Sequence, residues 1–379
     1  MIRAKIEDNK YYDKWLFLAI ISLLIFGSIM VISSGSFIAE YKFNNQNYFI
    51  THQLINASVG MGALIFAMNF NYKNYSNKYL IHIGLAVTVF LLLYLLISNQ
   101  GESIKGSKRW IFGFQPSELA KHIVVFFFAF SLNKYKDIIT NYKKGYLIHL
   151  GILAVIVGLV YYQPDFSTSM MIFIIGYLLF YISGMKLLHL TATFVTILLP
   201  VIIAIAIIQP YRLDRFATFF SPKDDVAGKG WQVEQSLIGF GNGGFGGVGL
   251  GESRQKEFYL PEPHNDFIFS IIGDEFGYLG TTIVILLYIL LIQRGFIIAK
   301  NAPDFYGFLL ANGITIAIAV YAIFNMAITI GLVPPTGLPL PLVSYGGTSL
   351  MMTMFSLGVL LNISYKSNQL KHGNEQKIK

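Results

Sequence analysis

Hydrophobic residues in this chain are grouped in long runs, and short polar segments separate the runs. Stretches of about 20 apolar residues recur along nearly the whole sequence, which is the length that a helix needs to cross the hydrocarbon core of a bilayer. The pattern predicts an all-α integral membrane protein in which residues 1–379 form a single polytopic bundle. We place ten spans at 15–35, 51–69, 80–98, 117–133, 146–162, 166–184, 187–208, 267–293, 305–332 and 346–365.

The composition agrees with this class. The 379 residues are 54% hydrophobic and 13% charged, whereas soluble domains carry about 25% charged residues. The first apolar run follows a polar segment at 1–14 and has spanning length without a small-residue cleavage pattern. We therefore expect an uncleaved first span and not a signal peptide.

The distribution of Lys and Arg predicts the orientation. An even number of spans puts both termini on one side of the membrane. Because cytoplasmic loops retain Lys and Arg, we predict that both termini are cytoplasmic. The net charge of +8 fits this bias, and it equally fits external basic side chains that meet an anionic substrate. The short segments that contain Lys or Arg are 1–14, 70–79, 134–145, 294–304 and 366–379.

Several site classes are not expected. No basic stripe interleaves with aromatic residues on a soluble face, so nucleic acid is not a predicted partner. The absence of cysteine excludes disulfides, zinc thiolates and iron–sulfur clusters. No cofactor is required by the sequence. A hard divalent cation would still find oxygen ligands among the grouped acids Glu262, Asp266, Asp274 and Glu275.

Two segments interrupt the regular alternation of spans and short loops. A large extracytoplasmic loop at about 209–265 is too long for a simple connection, and such loops are usually functional. The second segment is 334–347, where three prolines within 335–341 preclude a regular helix. Because non-helical backbone at membrane depth must be buried in protein or line a wet cavity, we predict a re-entrant or extended segment there.

A glycine-dense run at 239–251 satisfies the G-x-G-x-x-G pattern twice. That fingerprint requires a strand, a turn and a helix, and this run lies between two predicted spans, so dinucleotide binding is not expected. Two interpretations stay open. The run is a flexible or tightly turning loop, or its backbone amides contact a phosphate.

Candidate chemistry is concentrated at 259–269, where Glu262, His264 and Asp266 precede the eighth span. Ionisable groups at a bilayer boundary are costly unless they contact substrate or water. Asp266 is a helix cap together with Asn265, or it is a general base that deprotonates a sugar hydroxyl. A helix N-terminus keeps a carboxylate ionised, which a base requires. His264 is a second acid–base group or a structural residue.

The eighth span is unusually long. Residues 267–293 form a helix of about 40 Å at 1.5 Å per residue, against a hydrocarbon core of about 30 Å. Asp274 and Glu275 lie in its outer third, about 12 Å from Asp266. We therefore expect the first turns to face protein or water and not lipid.

Basic residues near the predicted outer surface have two interpretations. Their side chains snorkel to the headgroup level, or they bind phosphate through charge-assisted hydrogen bonds. Asp165, between two spans with almost no loop, is expected to cap a helix. The basic residues are Lys105, Lys108 and Arg109, next to Trp110, and Arg212 and Arg215 after the seventh span.

Together these segments resemble the SEDS family (shape, elongation, division and sporulation), which includes FtsW, RodA and SpoVE. The resemblance covers nearly the entire chain. The landmarks are Lys105-Gly-Ser-Lys-Arg-Trp110, Gln115-Pro-Ser-Glu-Leu-Ala-Lys121, Gln163-Pro-Asp165, Pro210-Tyr-Arg-Leu-Asp-Arg215, Gln232-x-x-Gln-Ser236, Gln255-Lys256, Leu260-Pro-Glu-Pro-His-Asn-Asp-Phe-Ile-Phe269 and Gly337-Leu-Pro-Leu-Pro-Leu-Val-Ser-Tyr-Gly-Gly347.

The resemblance implies a ten-span peptidoglycan glycosyltransferase that polymerises lipid II on the outer face of the bacterial cytoplasmic membrane. Asp266 matches the family's essential acidic position and is implied as the base on the acceptor GlcNAc 4-hydroxyl, with undecaprenyl pyrophosphate as the leaving group. The residues implied to contact substrate are Lys108, Arg109, Trp110, Arg212, Arg215, Gln232, Gln235, Lys256, Glu262, His264 and Ser344. The basic ones are candidates to stabilise the pyrophosphate.

The same resemblance implies partners and a location. We expect a class B penicillin-binding transpeptidase and other divisome membrane proteins as partners, and the division septum as the location. The segments at 255–256 and 331–337 are more similar to the FtsW and SpoVE branches than to RodA, which leaves a division role and a sporulation role both open. Asn265 and Asp274 depart from the expected threonine and glutamate. Two rival functions stay open: a lipid II flippase, whose passage Asp274 and Glu275 would line, and a non-catalytic scaffold.

Overall fold

The helices of the predicted bundle are present in the structure, a computed structural model that describes residues 12–98, 102–104, 107–111, 113–200, 229–257 and 259–378. Eleven α-helices and one two-stranded hairpin lie within these ranges. The helices are α1 (Lys14–Phe43), α2 (Tyr48–Asn69), α3 (Lys78–Ser98), α4 (Pro116–Lys134), α5 (Leu147–Tyr161), α6 (Phe166–Ile182), α7 (Leu187–Thr193), α8 (Lys229–Gly243), α9 (Ile268–Lys300), α10 (Phe305–Thr329) and α11 (Gly347–Ile378).

A helix lies within each of the ten predicted spans, the seventh of which is described only as far as residue 200, and seven of the described helices are long and apolar enough to cross a membrane. The first and last spans were predicted too short, since α1 ends at Phe43 and α11 extends to Ile378. Two elements were not predicted. Helix α8 lies within the segment taken as a loop, and residues before α4 form a hairpin of β1 (Glu102–Ile104) and β2 (Ser107–Trp110).

Large apolar side chains on the outside of the bundle show which surfaces meet lipid. Phe66 of α2 and Ile83 and Phe90 of α3 are 60–65% exposed. Contiguous exposed apolar surface of this kind is typical of contact with a membrane. The opposite extreme is α10, where side chains such as Leu309 and Ala311 are fully buried. Helix α10 therefore lies inside the bundle.

The connections between helices meet at two ends of the bundle. At the first, which we call the terminal end, the Tyr12 ring stacks on Tyr365 with centroids 4.8 Å apart, and the backbone N–H of Asp13 donates to Ser364 Oγ at 3.1 Å. Residue 12 and helix α11 thus meet on one side, as an even number of spans requires. The opposite end, which we call the site end, contains the hairpin, the Gln163–Asp165 turn and the segments 244–267 and 331–346.

The proline-rich segment 331–346, which includes most of the predicted 334–347, is non-helical as predicted, and its part from 338 to 344 is largely buried. Its backbone packs on the middle of α1, where a Cβ at Gly27 would lie 2.5 Å from Val343 Cα. Asn325 Nδ2 of α10 donates to the carbonyl oxygen of Leu338 at 2.7 Å. The Tyr288 hydroxyl of α9 donates to the carbonyl oxygen of Pro341. Neighbouring helices therefore satisfy backbone groups that lipid cannot.

Helix α9 is not the continuous rod that the sequence predicted, because Gly277 (φ 62°, ψ −157°) breaks it. A continuous helix would bond the N–H groups of Tyr278 and Leu279 to the carbonyls of Asp274 and Glu275. Instead these N–H groups donate to the carbonyls of the glycine run, at Gly244 (2.9 Å) and Phe245 (3.2 Å).

The glycine run also supplies donors for the two carbonyls of α9 that the break leaves without their usual helical partners. The N–H groups of Val248 and Gly249 donate to the freed carbonyls of Asp274 and Glu275 at 2.9 and 3.0 Å. Four hydrogen bonds between the run and α9 thus replace two within the helix. The break divides α9 into a short first segment, 268–276, and a long second segment, 278–300.

Candidate functional site

Asp266 lies at the site end in a turn just before α9. Its side chain is partly exposed, its carbonyl oxygen accepts a 2.9 Å hydrogen bond from Asn325 Nδ2, and a Cβ at Gly337 would lie 3.2 Å from its Oδ2. The residue is therefore fixed between α10 and the segment 331–346. The N-cap of α9 is Phe267, which directly follows the Asn265 and Asp266 pair named by the capping interpretation.

The turn that carries Asp266 is attached to segment 331–346 by backbone contacts. Ser344 Oγ donates to the Asn265 carbonyl at 2.7 Å and accepts from the Leu340 N–H at 2.7 Å. The Tyr345 N–H donates to the carbonyl of His264 at 2.9 Å. Ser344 thus lies next to the acidic turn, as predicted, and its hydroxyl bonds join two backbones.

His264 packs among aromatic rings. Its ring centroid is 4.5 Å from that of Phe49 and 5.7 Å from that of Tyr345. Glu262 is partly exposed and its Oε2 accepts from Asn265 Nδ2 at 3.3 Å. The ring packing favours the structural interpretation of His264.

Arg109 is held by the turn between α5 and α6. Its Nε donates to the Gln163 carbonyl at 3.2 Å, its Nη2 donates to the Pro164 carbonyl, and its Nη1 is 3.7 Å from Asp165 Oδ1. The guanidinium therefore joins the hairpin to this turn. Asp165 also accepts from the Thr168 N–H at 3.3 Å as the N-cap of α6, which confirms the predicted cap.

The remaining predicted contacts are placed as follows. Trp110 is partly buried in β2 and pairs with Glu102 across the hairpin. On α8, Gln232 is partly exposed and Gln235 is buried. The predicted residues Lys105, Arg212 and Arg215 and the side chain of Lys108 lie outside the described part of the chain.

Lys256 is buried and forms an internal ion pair. Its Nζ lies 3.4 Å from Glu275 Oε1 and donates to the Gly251 carbonyl. Its side chain is 7% exposed and that of Glu275 is 0% exposed. In this arrangement Lys256 is directed into the protein, whereas the sequence placed it among the candidates for pyrophosphate.

Part of the glycine run packs closely against α9, and two of its amides are not free to contact a phosphate. The N–H groups of Val248 and Gly249 are used by α9. A Cβ at Gly277 would lie 2.5 Å from the Gly247 nitrogen, and one at Gly243 or Gly247 would overlap the carbonyl of Gly273 or Glu275. Close approach of two backbones requires glycine on both sides. Residues 239–243 of the run belong to α8, so the interpretation as a tightly turning loop is confirmed only for residues 244–251.

Acidic residues at the site end do not converge on one point. Asp274 Oδ2 accepts from Ser253 Oγ at 2.6 Å, and both oxygens of Glu275 accept from Ser33 Oγ at 2.7 and 2.8 Å. Both residues are buried, as predicted for the first turns of α9. Within the described ranges, no group of three or more His, Cys, Asp or Glu residues is placed to hold a metal ion.

Two polar interactions at this end were not predicted from the sequence. The Asn325 amide donates to the carbonyls of both Asp266 and Leu338. Lys121 and Glu118 form a buried ion pair at 2.8 Å, and the Lys121 ammonium lies 4.1 Å from the centroid of the Tyr321 ring. The available signal was the presence of polar side chains inside predicted spans, where each is costly unless paired.

Comparison with known proteins decides the family. The family model described as "Cell cycle protein" (FtsW, RodA, SpoVE) matches residues 14–369. This chain belongs to that family. With its apolar helices, the chain is a multi-pass membrane protein, and the resemblance noted from the sequence is confirmed.

Two relatives within this family illustrate the similarity. The probable peptidoglycan glycosyltransferase FtsW of Trichlorobacter lovleyi is 38% identical over 357 residues, which is 93% of each chain. The stage V sporulation protein E of Bacillus subtilis is 38% identical over 358 residues, covering 92% of this chain and 96% of that protein. Similarity thus extends over nearly the whole length.

Solved structures share the fold. A chain from a structure described as "Structural coordination of polymerization and crosslinking by a peptidoglycan synthase complex" aligns with a TM-score of 0.76 at 22% identity, over 94% of this chain and 98% of that chain. The rod shape determining protein RodA of Thermus thermophilus aligns with a TM-score of 0.65 at 21% identity, over 93% and 96%.

Proposed function

We propose that this chain is a peptidoglycan glycosyltransferase that polymerises lipid II on the outer face of the cytoplasmic membrane. Membership of the FtsW, RodA and SpoVE family supports this activity, and relatives named as probable peptidoglycan glycosyltransferases cover nearly the entire chain. The observation that carries the proposal is the position of Asp266. A partly exposed carboxylate is fixed between α10 and segment 331–346 at one end of a membrane bundle.

In the proposed reaction, Asp266 accepts the proton of the GlcNAc 4-hydroxyl of an acceptor lipid II. The hydroxyl oxygen forms a bond to the anomeric carbon of the growing chain, and the bond from that carbon to the undecaprenyl pyrophosphate oxygen breaks. Attack opposite the leaving group inverts the anomeric centre. General-base catalysis of this kind contributes about 10²–10⁴-fold in rate.

The departing pyrophosphate requires positive charge, because electrostatic stabilisation of developing charge is usually the largest single contribution to catalysis. Lys108, Arg212 and Arg215 stay candidates for this role. Arg109 is already bonded to the Gln163–Asp165 turn, so we assign it a supporting role. Apolar grooves between the helices hold the prenyl tails.

The remaining predicted substrate residues divide by exposure. Trp110, Gln232, Glu262 and His264 are partly exposed at the site end and are proposed to line the sugar or peptide site. Ser344 and Gln235 are buried, and we propose that they support that lining from behind. A divalent cation is not part of the proposal.

Orientation and partners follow from the same proposal. The site end is extracytoplasmic, and the terminal end with both termini is cytoplasmic, as the Lys and Arg pattern predicts. A class B penicillin-binding transpeptidase is the proposed partner. The similar fold from a peptidoglycan synthase complex supports an assembly of this kind. We place the assembly with other divisome proteins at the division septum.

The test is a polymerisation assay with purified protein, its transpeptidase partner and lipid II. Asp266→Asn is expected to abolish glycan polymer while the protein keeps its thermal unfolding temperature. Glu252→Gln is the matched control, since Glu252 is an exposed acid of the same segment, and it should polymerise at the normal rate. Undiminished polymer from Asp266→Asn would reject the assigned base.

The flippase alternative requires a hydrophilic passage that opens to both faces in turn. Asp274 and Glu275, the residues expected to line it, are buried and bonded to Ser253, Ser33 and Lys256, which weighs against the passage. Lipid II accessibility in proteoliposomes discriminates between the two functions. Transbilayer movement without polymer would favour the flippase.

A further inference from the structure

The first segment of α9 is attached to the protein by the loop that fills the helix break. Because Gly277 interrupts the helix, residues 268–276 do not inherit their direction from 278–300 through continuous hydrogen bonds. Their last carbonyls bond to the glycine run instead. The placement of this segment therefore depends on the loop 244–256, and Asp266 lies two residues before the segment begins.

Side chains reinforce the backbone attachment at the same two residues. Ser253 Oγ donates to Asp274 Oδ2 at 2.6 Å. Lys256 Nζ lies 3.4 Å from Glu275 Oε1 and donates to the Gly251 carbonyl. The loop thus holds the end of the segment through both carbonyls and both carboxylates.

Glu275 extends the attachment to a third element. Both of its oxygens accept from Ser33 Oγ of α1, and Phe276 stands beside Phe26 of α1 with ring centroids 5.5 Å apart. Glu275 consequently joins the loop, the first segment of α9 and helix α1. The ammonium of Lys256 is the positive partner of this carboxylate in a buried site, where an uncompensated charge is strongly unfavourable.

We propose that Lys256 and Glu275 are positioning residues: their ion pair fixes the 268–276 segment and thereby the place of Asp266. The inference rests on the proposed function for its catalytic consequence. It reassigns Lys256 from the pyrophosphate to an internal role. Glu275 is about 13 Å from Asp266 along a helix, so the pair acts through the segment and does not touch the reacting atoms.

The matched comparison is a second ion pair on the same helix. Arg294 of α9 donates through Nε to Asp13 Oδ2 at 2.9 Å at the terminal end, far from the break. Arg254 provides another control, because it is an exposed cation in the same short helix as Lys256 (Arg254–Lys256). Arg254→Gln changes the charge of the loop and leaves the buried pair intact.

The experiment uses the full-length protein with its partner and lipid II, and it compares Lys256→Met, Glu275→Gln, the double variant, the exchanged pair Lys256→Glu/Glu275→Lys, Arg254→Gln and Arg294→Gln. Displacement of a catalytic group by about 1 Å costs on the order of 10²-fold in rate. We expect a kcat loss of this order in both single variants, with little change in KM. The double variant should lose no more than either single one, and the exchanged pair should recover part of kcat.

Several results would overturn the assignment. Full activity of Glu275→Gln together with a raised KM in Lys256→Met would place Lys256 on the pyrophosphate. If Arg294→Gln lost as much kcat as the Lys256 and Glu275 variants, and its unfolding temperature fell to the same value as theirs, the effect would be general destabilisation. Arg254→Gln is expected to keep the normal rate, and a comparable loss there would trace the effect to loop charge.

Hydrogen–deuterium exchange separates this inference from the proposed function, because it needs no substrate. We expect faster exchange of amides in 268–279 in Lys256→Met and Glu275→Gln, and no change there in Arg294→Gln. Unchanged protection would refute the positioning role even if polymerisation is confirmed. A native protein that makes no polymer while these amides respond as expected would instead refute the glycosyltransferase.

Discussion

Gly337 lies against the carboxylate of Asp266, and a Cβ at position 337 would be 3.2 Å from Asp266 Oδ2. Gly337 also has φ +73°, where residues with a side chain are strained. We expect Gly337→Ala to displace the proposed base and to lower the polymerisation rate on the order of 10²-fold. The measurement is the initial rate of glycan synthesis from lipid II, with the unfolding temperature recorded in parallel.

Gly184→Ala is the control for backbone strain. Gly184 has φ +92° and no atom within 4 Å of the added Cβ, and it follows α6 at the end opposite Asp165. The strain cost of about 1–3 kcal/mol should be shared by both variants, whereas the loss of rate should be confined to Gly337→Ala. Equal rates in the two variants would contradict a close contact with a functional carboxylate.

Ser344→Ala tests the link between the acidic turn and segment 331–346. The substitution removes the donor to the Asn265 carbonyl and the acceptor of the Leu340 N–H, both at 2.7 Å. Leaving a buried group unpaired costs about 1–3 kcal/mol. We expect a lower unfolding temperature and a lower polymerisation rate. Ser36→Ala, which removes only a bond within α1, should change neither by a comparable amount.

The buried pair of Glu118 and Lys121 makes a prediction about stability. Removing one partner of a buried ion pair costs about 3–5 kcal/mol, whereas replacing both with apolar residues is often neutral. We expect Glu118→Gln to destabilise the protein strongly, and Glu118→Leu/Lys121→Met to restore most of the unfolding temperature. A double variant as unstable as the single one would show that the pair contributes through other contacts, such as that of Lys121 with Tyr321.

Two glycine substitutions are expected to have opposite effects, one in the seam between the glycine run and α9 and one on the open surface of α5. A Cβ at Gly247 (φ +84°) would overlap the Glu275 carbonyl, whereas one at Gly151 in α5 meets no atom within 4 Å. Gly247→Ala is expected to prevent normal folding. Gly151→Ala is expected to stabilise its helix by roughly 0.5–1 kcal/mol. Thermal unfolding in detergent measures both, and a tolerated Gly247→Ala would contradict the close backbone approach.

The ten spans were predictable because the bilayer imposes length and hydrophobicity on any helix that crosses it. Helix α8 was not, since its glycines disfavour an isolated helix. It is stabilised by neighbours, for example by the hydrogen bond from Ser236 Oγ to the Thr329 carbonyl at 2.6 Å. The break at Gly277 was not predicted, because one glycine inside a helical pattern does not by itself indicate a break and apolar residues resume directly after it.

The candidate site was predicted in part. Family landmarks that are distant in sequence, such as Arg109 with Asp165 and His264 with Tyr345, do meet at one end. The direction of long basic side chains was not predictable. A lysine in a polar segment can reach solvent or an internal acid, and only the fold shows that Lys256 meets Glu275.

Helix α2 depends on the last helix of the chain. A Cβ at Gly358 of α11 would overlap the Leu64 carbonyl of α2, and Asn362 of α11 donates to the Met68 carbonyl at a sequence separation of 294 residues. During synthesis, α2 is therefore inserted long before its neighbour has been translated. A chain that stops short of α11 leaves the face of α2 around Leu64 and Ala67 without its partner helix and exposes it to lipid.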